Sequence, residues 1–182
     1  MRIALFILLS LPLLIVFSWR PLQNTGSHGF YRFFAFEGIL ILVLMNISFW
    51  LKDPLSPLQL ISWTFLFFSI LFVIQGFYLL RKLGGSRKRE IVSENLAFED
   101  TVRLVKDGIY KYIRRPMYSS LLLLAWGALM KHITTYGILA ALITTAFLVA
   151  TARIEEQENR SFFGSSYEKY MKRTKMFIPY LF

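Results

Sequence analysis

Three long apolar stretches dominate the first eighty residues, and nothing else in the chain limits its fold as much. They run over about 2–19, 33–51 and 58–80. A helix needs about 20 mostly apolar residues to cross a hydrocarbon layer of roughly 30 Å. Inside that layer each segment must satisfy its own backbone hydrogen bonds, so each stretch reads as a spanning helix. The second carries Glu37 near one end and Asn46 inside it. The link Lys52-Asp53-Pro54-Leu55-Ser56-Pro57 is short and rich in turn formers, so the second and third helices form an antiparallel hairpin. Ile3 to Phe17 follows a lone Arg2 and looks like a signal-peptide core. No small-x-small cleavage site follows at Ser18-Trp19-Arg20-Pro21, so it is expected to remain as a helix.

Composition agrees with a lipid environment. Hydrophobic residues make up 55% of the chain and charged ones 18%, more apolar material than a soluble core of this length needs. Two further apolar segments, about 117–130 and 136–152, flank Lys131-His132-Ile133-Thr134-Thr135. At 1.5 Å per residue the first is only about 21 Å long, so this pair is expected to form a shallow or tilted hairpin. An amphipathic tail, 153–182, follows. The fold class expected is an all-α integral membrane protein with about five transmembrane helices, the last two a hairpin. The organisation divides into a three-helix part over 1–80 and a part over 81–182 made of linker, hairpin and C-terminal helix.

Charge sets the expected orientation. Lys and Arg number 21 against 11 Asp and Glu, and sixteen of the 21 lie in 81–116 and 153–182. The positive-inside rule puts both segments, and so the C-terminus, in the cytoplasm of a plasma membrane or endoplasmic reticulum. The N-terminus and the 52–57 turn then lie outside and the Arg20–Arg32 loop inside, with Arg2 a mild exception. Such a basic chain can bind nucleic acid, but these cations sit beside apolar runs and suit anionic membrane lipids better. Arg87-Lys88-Arg89, after the flexible Gly84-Gly85-Ser86, reads as a headgroup anchor. The chain has no Cys, which excludes disulfides, thiolate catalysis and Cys-ligated metals. His28 and His132 fall in separate loops, suggest no metal pair and are expected at the surface.

Two segments hold residues suited to chemistry. In the first, Gly108 after Asp107 signals a turn, and Arg115-Pro116 opens a helix. Proline is tolerated at a first helical turn because its missing N–H has no intrahelical partner there. The free N–H groups and positive dipole end at such a start suit a carboxylate. Tyr110, Tyr112 and Tyr118 surround it; they equally suit simple anchoring at the membrane interface. In the second, Arg153-Ile154-Glu155-Glu156-Gln157-Glu158 lies where the last apolar run ends. Carboxylates at that depth are costly unless paired or functional. Arg153 and Glu156, at i and i+3, also suit a local ion pair.

The run Gly108-Ile109-Tyr110-Lys111-Tyr112-Ile113-Arg114-Arg115-Pro116-Met117-Tyr118 resembles the pattern Gly-x-Tyr-x-Tyr-x-Arg-His-Pro-x-Tyr. Glu155-Glu156, Phe163-Gly164, Tyr167, Tyr170 and Lys172-Arg173 resemble a second block, in which paired glutamates precede Phe-Gly, spaced tyrosines and a basic cluster. Both resemble the isoprenylcysteine carboxyl methyltransferase family and its microbial relatives, over roughly 75–182. The resemblance implies a membrane fold whose S-adenosylmethionine site is built by linker, hairpin and tail. By position it implies cofactor contacts at Asn95, Val102, Arg103, Leu104, Val105, Tyr110, Arg115, Pro116, Met117 and Tyr118. Glu155 would meet the amino acid part of the cofactor. Glu156, Arg153 and Arg173 are candidates for the acceptor side. The family's His before the Pro is Arg115 here. A guanidinium holds a carboxylate bidentately but stays protonated, so it is no general base.

A carboxylate acceptor needs no base, because its reference pKa is near 4. The implied activity is therefore carboxyl methylation of a lipophilic acceptor entering from the bilayer, a prenylcysteine being the family's example. An amine acceptor, as in phospholipid N-methylation, would need a base, for which Glu156 is the candidate. A nicotinamide-dependent sterol-type reductase and a non-catalytic membrane scaffold are the other readings.

Overall fold

The computed structural model describes residues 6–11, 22, 25–85 and 101–179. The described residues are helical apart from turns, short 3-10 segments and one isolated bridge. Helix α1 spans His28–Asn46 and continues as a 3-10 turn, Ile47–Phe49. Helix α2 spans Pro57–Leu83, and α3 spans Pro116–Leu129 after a 3-10 turn at Gly108–Lys111. Helix α4 spans Thr135–Phe163, and α5 spans Ser165–Arg173. The first expected span, 2–19, lies largely outside the described residues, of which 6–11 are helical.

Local signals set most helix starts. Ser27 accepts a hydrogen bond from Phe30 N at 3.2 Å, Ser56 from Gln59 N at 3.4 Å and Thr134 from Gly137 N at 3.0 Å. Such caps contribute about 1 kcal/mol each. The Ser27 cap starts α1 at residue 28, earlier than the apolar run at 33 suggests. Arg32, in the added turn, is buried.

Among the described residues, three helices are long and apolar enough to cross a membrane: His28–Phe49, Pro57–Leu83 and Thr135–Phe163. The expected shallow member of the last hairpin is α3, whose 14 residues fall short of a full span. The hairpin is therefore unequal. Helix α4 does not stop near 152 as its apolar run does; it continues eleven residues further through Arg153–Phe163.

The bundle interleaves the two halves of the sequence, since α1 packs along α4 and α2 along α3. Lipid gives no hydrophobic drive between helices, so small residues and polar bonds carry much of the association. Gly38 shows the small-residue part: a Cβ there would lie 2.1 Å from Thr144 Oγ1. Polar bonds do the rest. Ser62 Oγ donates to Gly127 O at 2.6 Å, and Ser69 Oγ to Ser120 O at 2.8 Å. Asn46 Nδ2 donates to Ala128 O at 3.0 Å. Each is worth about 0.6 kcal/mol on average in a membrane. Leu60, Ile61, Phe67, Ile70 and Ile74 project outward from α2, as a lipid-facing surface requires.

Candidate functional site

At the end of the bundle where α2 and α4 leave their apolar runs, four segments meet. The strip 101–105 is tied to the end of α2, because Val102 N and Arg103 N both donate to Gly84 O at 3.0 Å. The chain then turns at Gly108, whose φ of +59° falls in the left-handed region that glycine tolerates. Ile113 pairs in parallel with Lys175. Arg114 N donates to Lys175 O at 2.8 Å, and Arg115 N to Met176 O at 3.1 Å. This short backbone clamp fixes the segment that ends in Pro116 and presents both arginines to α4.

Two buried ion pairs result. Arg115 Nη1 donates to Glu155 Oε1, and Tyr118 Oη donates to Glu155 Oε2 at 2.6 Å. Arg114 Nε donates to Glu156 Oε1 at 2.7 Å, while its Nη1 donates to the carbonyls of Met171 and Thr174. Adjacent glutamates, about 100° apart on the helix, thus take adjacent arginines. Glu156 pairs with Arg114 and not with Arg153 at i−3. These pairs, with His28 Nδ1 at 2.9 Å from Glu158 Oε1, explain why α4 continues through its charged end. The surface position expected of His28 is thereby corrected: the α1 cap starts the helix at this residue and buries it fully against α4. His132 is exposed and stacks on Phe49.

A cleft open to solvent lies beside the Arg115–Glu155 pair. Leu104, Val105, Tyr110, Arg115, Pro116, Met117, Tyr118 and Glu155 line it, so most of the expected cofactor strip is gathered in one place. Val102 and Arg103 do not line it; their side chains are exposed, and their backbones hold the strip to Gly84. Asn95 lies outside the described residues. Glu156 is not in the wall, because it faces Arg114. Arg153 and Arg173 line a second cleft on the far side of Arg114, with Lys111, Lys172 and Lys175. Of the three tyrosines expected near Arg115, Tyr112 is about half exposed and suits an interfacial anchor. Tyr110 and Tyr118 are inside.

Further side chains complete the first cleft: Leu80, Thr101, Arg114, Asn159, Phe163, Tyr167 and Tyr170. Asn159 and Phe163 stand four and eight residues after Glu155, on the same helical stripe, and that spacing could have found them. Leu80 left no signal beyond its apolar run. Tyr170 Oη donates to Tyr110 O at 2.6 Å and joins α5 to the turn before α3.

The electrostatics suit a zwitterion. Burial alone would lower the Arg115 pKa, but Glu155 beside it more than offsets that, so the guanidinium stays charged. Its Nε and Nη2 are buried without a hydrogen-bond partner among the described residues. Such orphaned charged donors are costly unless an acceptor fills the space. A carboxylate is the group that matches two nitrogens of one guanidinium. Glu155 supplies the opposite charge for an ammonium on the same molecule. Burial raises the pKa of Tyr167 and Tyr170, the latter helped by Tyr167, so both hydroxyls remain donors at neutral pH. Leu80, Leu104 and Val105 give the same cleft an apolar wall.

A third groove is almost wholly apolar. Phe65, Phe68 and Phe72 of α2, Leu122 and Trp126 of α3, and Phe177 line it. Ser119 Oγ donates to Phe177 O at 2.8 Å, which fixes its end one residue from Tyr118.

The family described as phospholipid methyltransferase matches residues 58–166, more than half of the chain. Methanethiol S-methyltransferase 1 of Bradyrhizobium diazoefficiens is 27% identical over 174 residues, 94% of this chain and 52% of that protein. Methanethiol S-methyltransferase of Crocosphaera subtropica is 23% identical over 181 residues, 94% of this chain and 58% of that protein. Protein-S-isoprenylcysteine O-methyltransferase of Schizosaccharomyces pombe is 38% identical over 79 residues, 42% of this chain and 33% of that protein. The chain spans about half the length of the two relatives it matches along most of its own. No solved structure matches it significantly. The resemblance to isoprenylcysteine carboxyl methyltransferases is borne out, and these relatives are methyltransferases. The matched region includes both ion pairs and every lining residue of the first cleft except Tyr167 and Tyr170. The chain belongs to the phospholipid methyltransferase family, as an all-α membrane protein.

Proposed function

We propose that this chain is an S-adenosylmethionine-dependent methyltransferase whose acceptor is a lipophilic carboxylate such as that of a prenylcysteine. The observation that carries the reading is Arg115: a buried guanidinium, one nitrogen on Glu155 and two without a partner, in the wall of a cleft. Arg115 Nε and Nη2 hold the cofactor's carboxylate, and Glu155 meets its ammonium. Leu80, Leu104 and Val105 cover the purine. When bound, the cofactor supplies an electrophilic methyl group on a sulfonium sulfur.

The protein's part is positioning and exclusion of water. Among the described residues, the cleft offers no free base. Glu155 is committed to Arg115 and Tyr118, and Glu156 to Arg114. An acceptor that arrives already ionised therefore suits the site better than an amine, which must lose a proton. The acceptor's tail occupies the groove of Phe65, Phe68, Phe72 and Phe177, reached from the bilayer between α2 and α4. The groove's end beside Ser119 brings its head towards Tyr118.

A second reading is a thiol acceptor. It is favoured by the two relatives aligned over 94% of the chain, both named methanethiol S-methyltransferase. The two acceptors differ in pH dependence. A carboxylate is ionised from about pH 5 upwards, whereas a thiol with a reference pKa near 8.5 gains thiolate as pH rises. Purified protein with methyl-labelled cofactor, offered a farnesylcysteine analogue or methanethiol between pH 6 and 9, separates them. Label in the farnesylcysteine ester at a rate flat with pH supports the main reading. Label in dimethyl sulfide, rising with pH, supports the second. Transfer to neither overturns both.

A further inference from the structure

The second cleft presents a different chemistry. Lys111, Arg153, Lys172, Arg173 and Lys175 converge on it from the turn before α3, the point where the apolar run of α4 ends, the end of α5 and the residues just after it. Met171 and Met176 supply an apolar floor. Lys106 and Lys169 border an adjoining cleft that shares Lys111 and Arg173. None of these seven cations has an acidic partner within ion-pair distance among the described residues. Four carboxylates of α4 and α5 are spent elsewhere: Glu155 on Arg115, Glu156 on Arg114, Glu158 on His28 and Glu168 on Arg160; Asp107 beside Lys106 is exposed and leaves the cluster strongly positive. The backbone pairing of 112–115 with 175–176 forces the cations together. Like charges so gathered repel one another, and an anion from outside relieves the repulsion.

The depth of the cleft identifies the anion. Residues 135–152 of α4 contain no charged side chain, and at 1.5 Å per residue they extend about 27 Å, close to the thickness of a hydrocarbon core. Arg153 is the first charge beyond them, so the cleft stands at the membrane surface, at headgroup level. A ring of ammonium and guanidinium groups over a thioether floor matches a phosphate that carries a glycerol.

We infer that this cleft binds the phosphate headgroup of an anionic phospholipid. The site is distinct from the cofactor cleft, and Arg114 is the one described residue that lines both. A headgroup seated there bridges the turn before α3 to the end of α5, the two segments that the clamp joins. The lipid thus fastens the frame that presents Arg115, whichever acceptor the enzyme takes.

The test uses the full chain in a neutral detergent, titrated with dioleoyl phosphatidylglycerol or dioleoyl phosphatidylcholine. Binding is read by native mass spectrometry and the thermal midpoint by fluorescence. The site predicts preferential retention of phosphatidylglycerol and a higher midpoint with it than with phosphatidylcholine. Rising salt should weaken the preference. The exposed lysines Lys111, Lys172 and Lys175 are changed together to Gln. Each lysine near an anionic surface is worth roughly fivefold in affinity, so the triple variant should lose on the order of a hundredfold. Lys52→Gln, at the opposite end of the bundle, should lose nothing. Equal binding of both lipids, or full phosphatidylglycerol affinity in the folded triple variant, overturns the proposal. So does inorganic phosphate or a short RNA displacing the lipid at comparable concentration, since the cleft would then take a free anion or a nucleic acid. If the triple variant fails to fold, Lys111→Gln and Lys172→Gln made singly carry the test, each losing roughly fivefold; full affinity in both folded single variants overturns the proposal.

Discussion

Arg115→Lys separates the fold of the cofactor cleft from its recognition of ligand. Lysine keeps the positive charge, and its single ammonium can replace Nη1 against Glu155. The ion pair, which is largely buried, therefore survives. What the substitution deletes is the pair of unpartnered nitrogens, Nε and Nη2. If these hold the cofactor carboxylate, two hydrogen bonds to a charged group are lost, about 1.5–3 kcal/mol each. The sum is about 3–6 kcal/mol; water recovers part of it, which leaves about 3 kcal/mol, on the order of a hundredfold in Kd. Stability should fall by only about 1 kcal/mol. Arg115→Met contrasts with it: Glu155 is left buried without its partner, at a cost of about 3–5 kcal/mol in stability. Calorimetric titration with S-adenosylhomocysteine, beside thermal melts in the same detergent, measures both quantities. An Arg115→Lys protein that melts normally and binds within threefold of the unmodified chain would refute the role given to these nitrogens.

Gly108→Ala should destabilise the chain by about 1–2 kcal/mol, because φ there is +59° and a Cβ would approach Leu79 Cδ1 to 2.6 Å; a thermal melt reads it. Folded Tyr167 and Tyr170 hold their protons above the ordinary tyrosine value of 10.0, through burial first. Their contribution is therefore complete below about pH 10 and lost as pH rises beyond it, so the melting midpoint should fall on that side. Tyr170→Phe should soften the fall and cost about 1 kcal/mol at neutral pH, through loss of the bond to Tyr110 O. A reporter fused after Phe182 should read as cytosolic, and an external signal would reverse the orientation drawn from Lys and Arg placement.

The spans at 33–51, 58–80 and 136–152 were legible because an apolar run of bilayer length has few other solutions. The start of α3 was legible at Arg115-Pro116 because proline marks a first helical turn. What was hidden lay in long-range pairing. Helix α4 passes through Arg153–Phe163 because Arg114, Arg115 and His28 meet its glutamates from 42, 40 and 130 residues away. Only the i, i+3 option of Arg153 with Glu156 could be read locally, and the fold does not use it. His28 looked like a loop residue until Ser27 capped the helix ahead of it. Val102 and Arg103 stood in the right strip but face outward, since an extended strip held by its backbone turns only some of its side chains inward. Arg153 and Arg173, expected on the acceptor side, line a second cleft that shares Arg114 with the first.

The central claim is that the Arg115–Glu155 cleft receives S-adenosylmethionine. Calorimetric titration of the purified unmodified chain tests it most directly, with S-adenosylmethionine, S-adenosylhomocysteine and NADPH as separate ligands. The account predicts one site for each of the first two and no saturable heat with NADPH. Saturable NADPH binding with no response to either adenosyl ligand would contradict it and return the reductase reading.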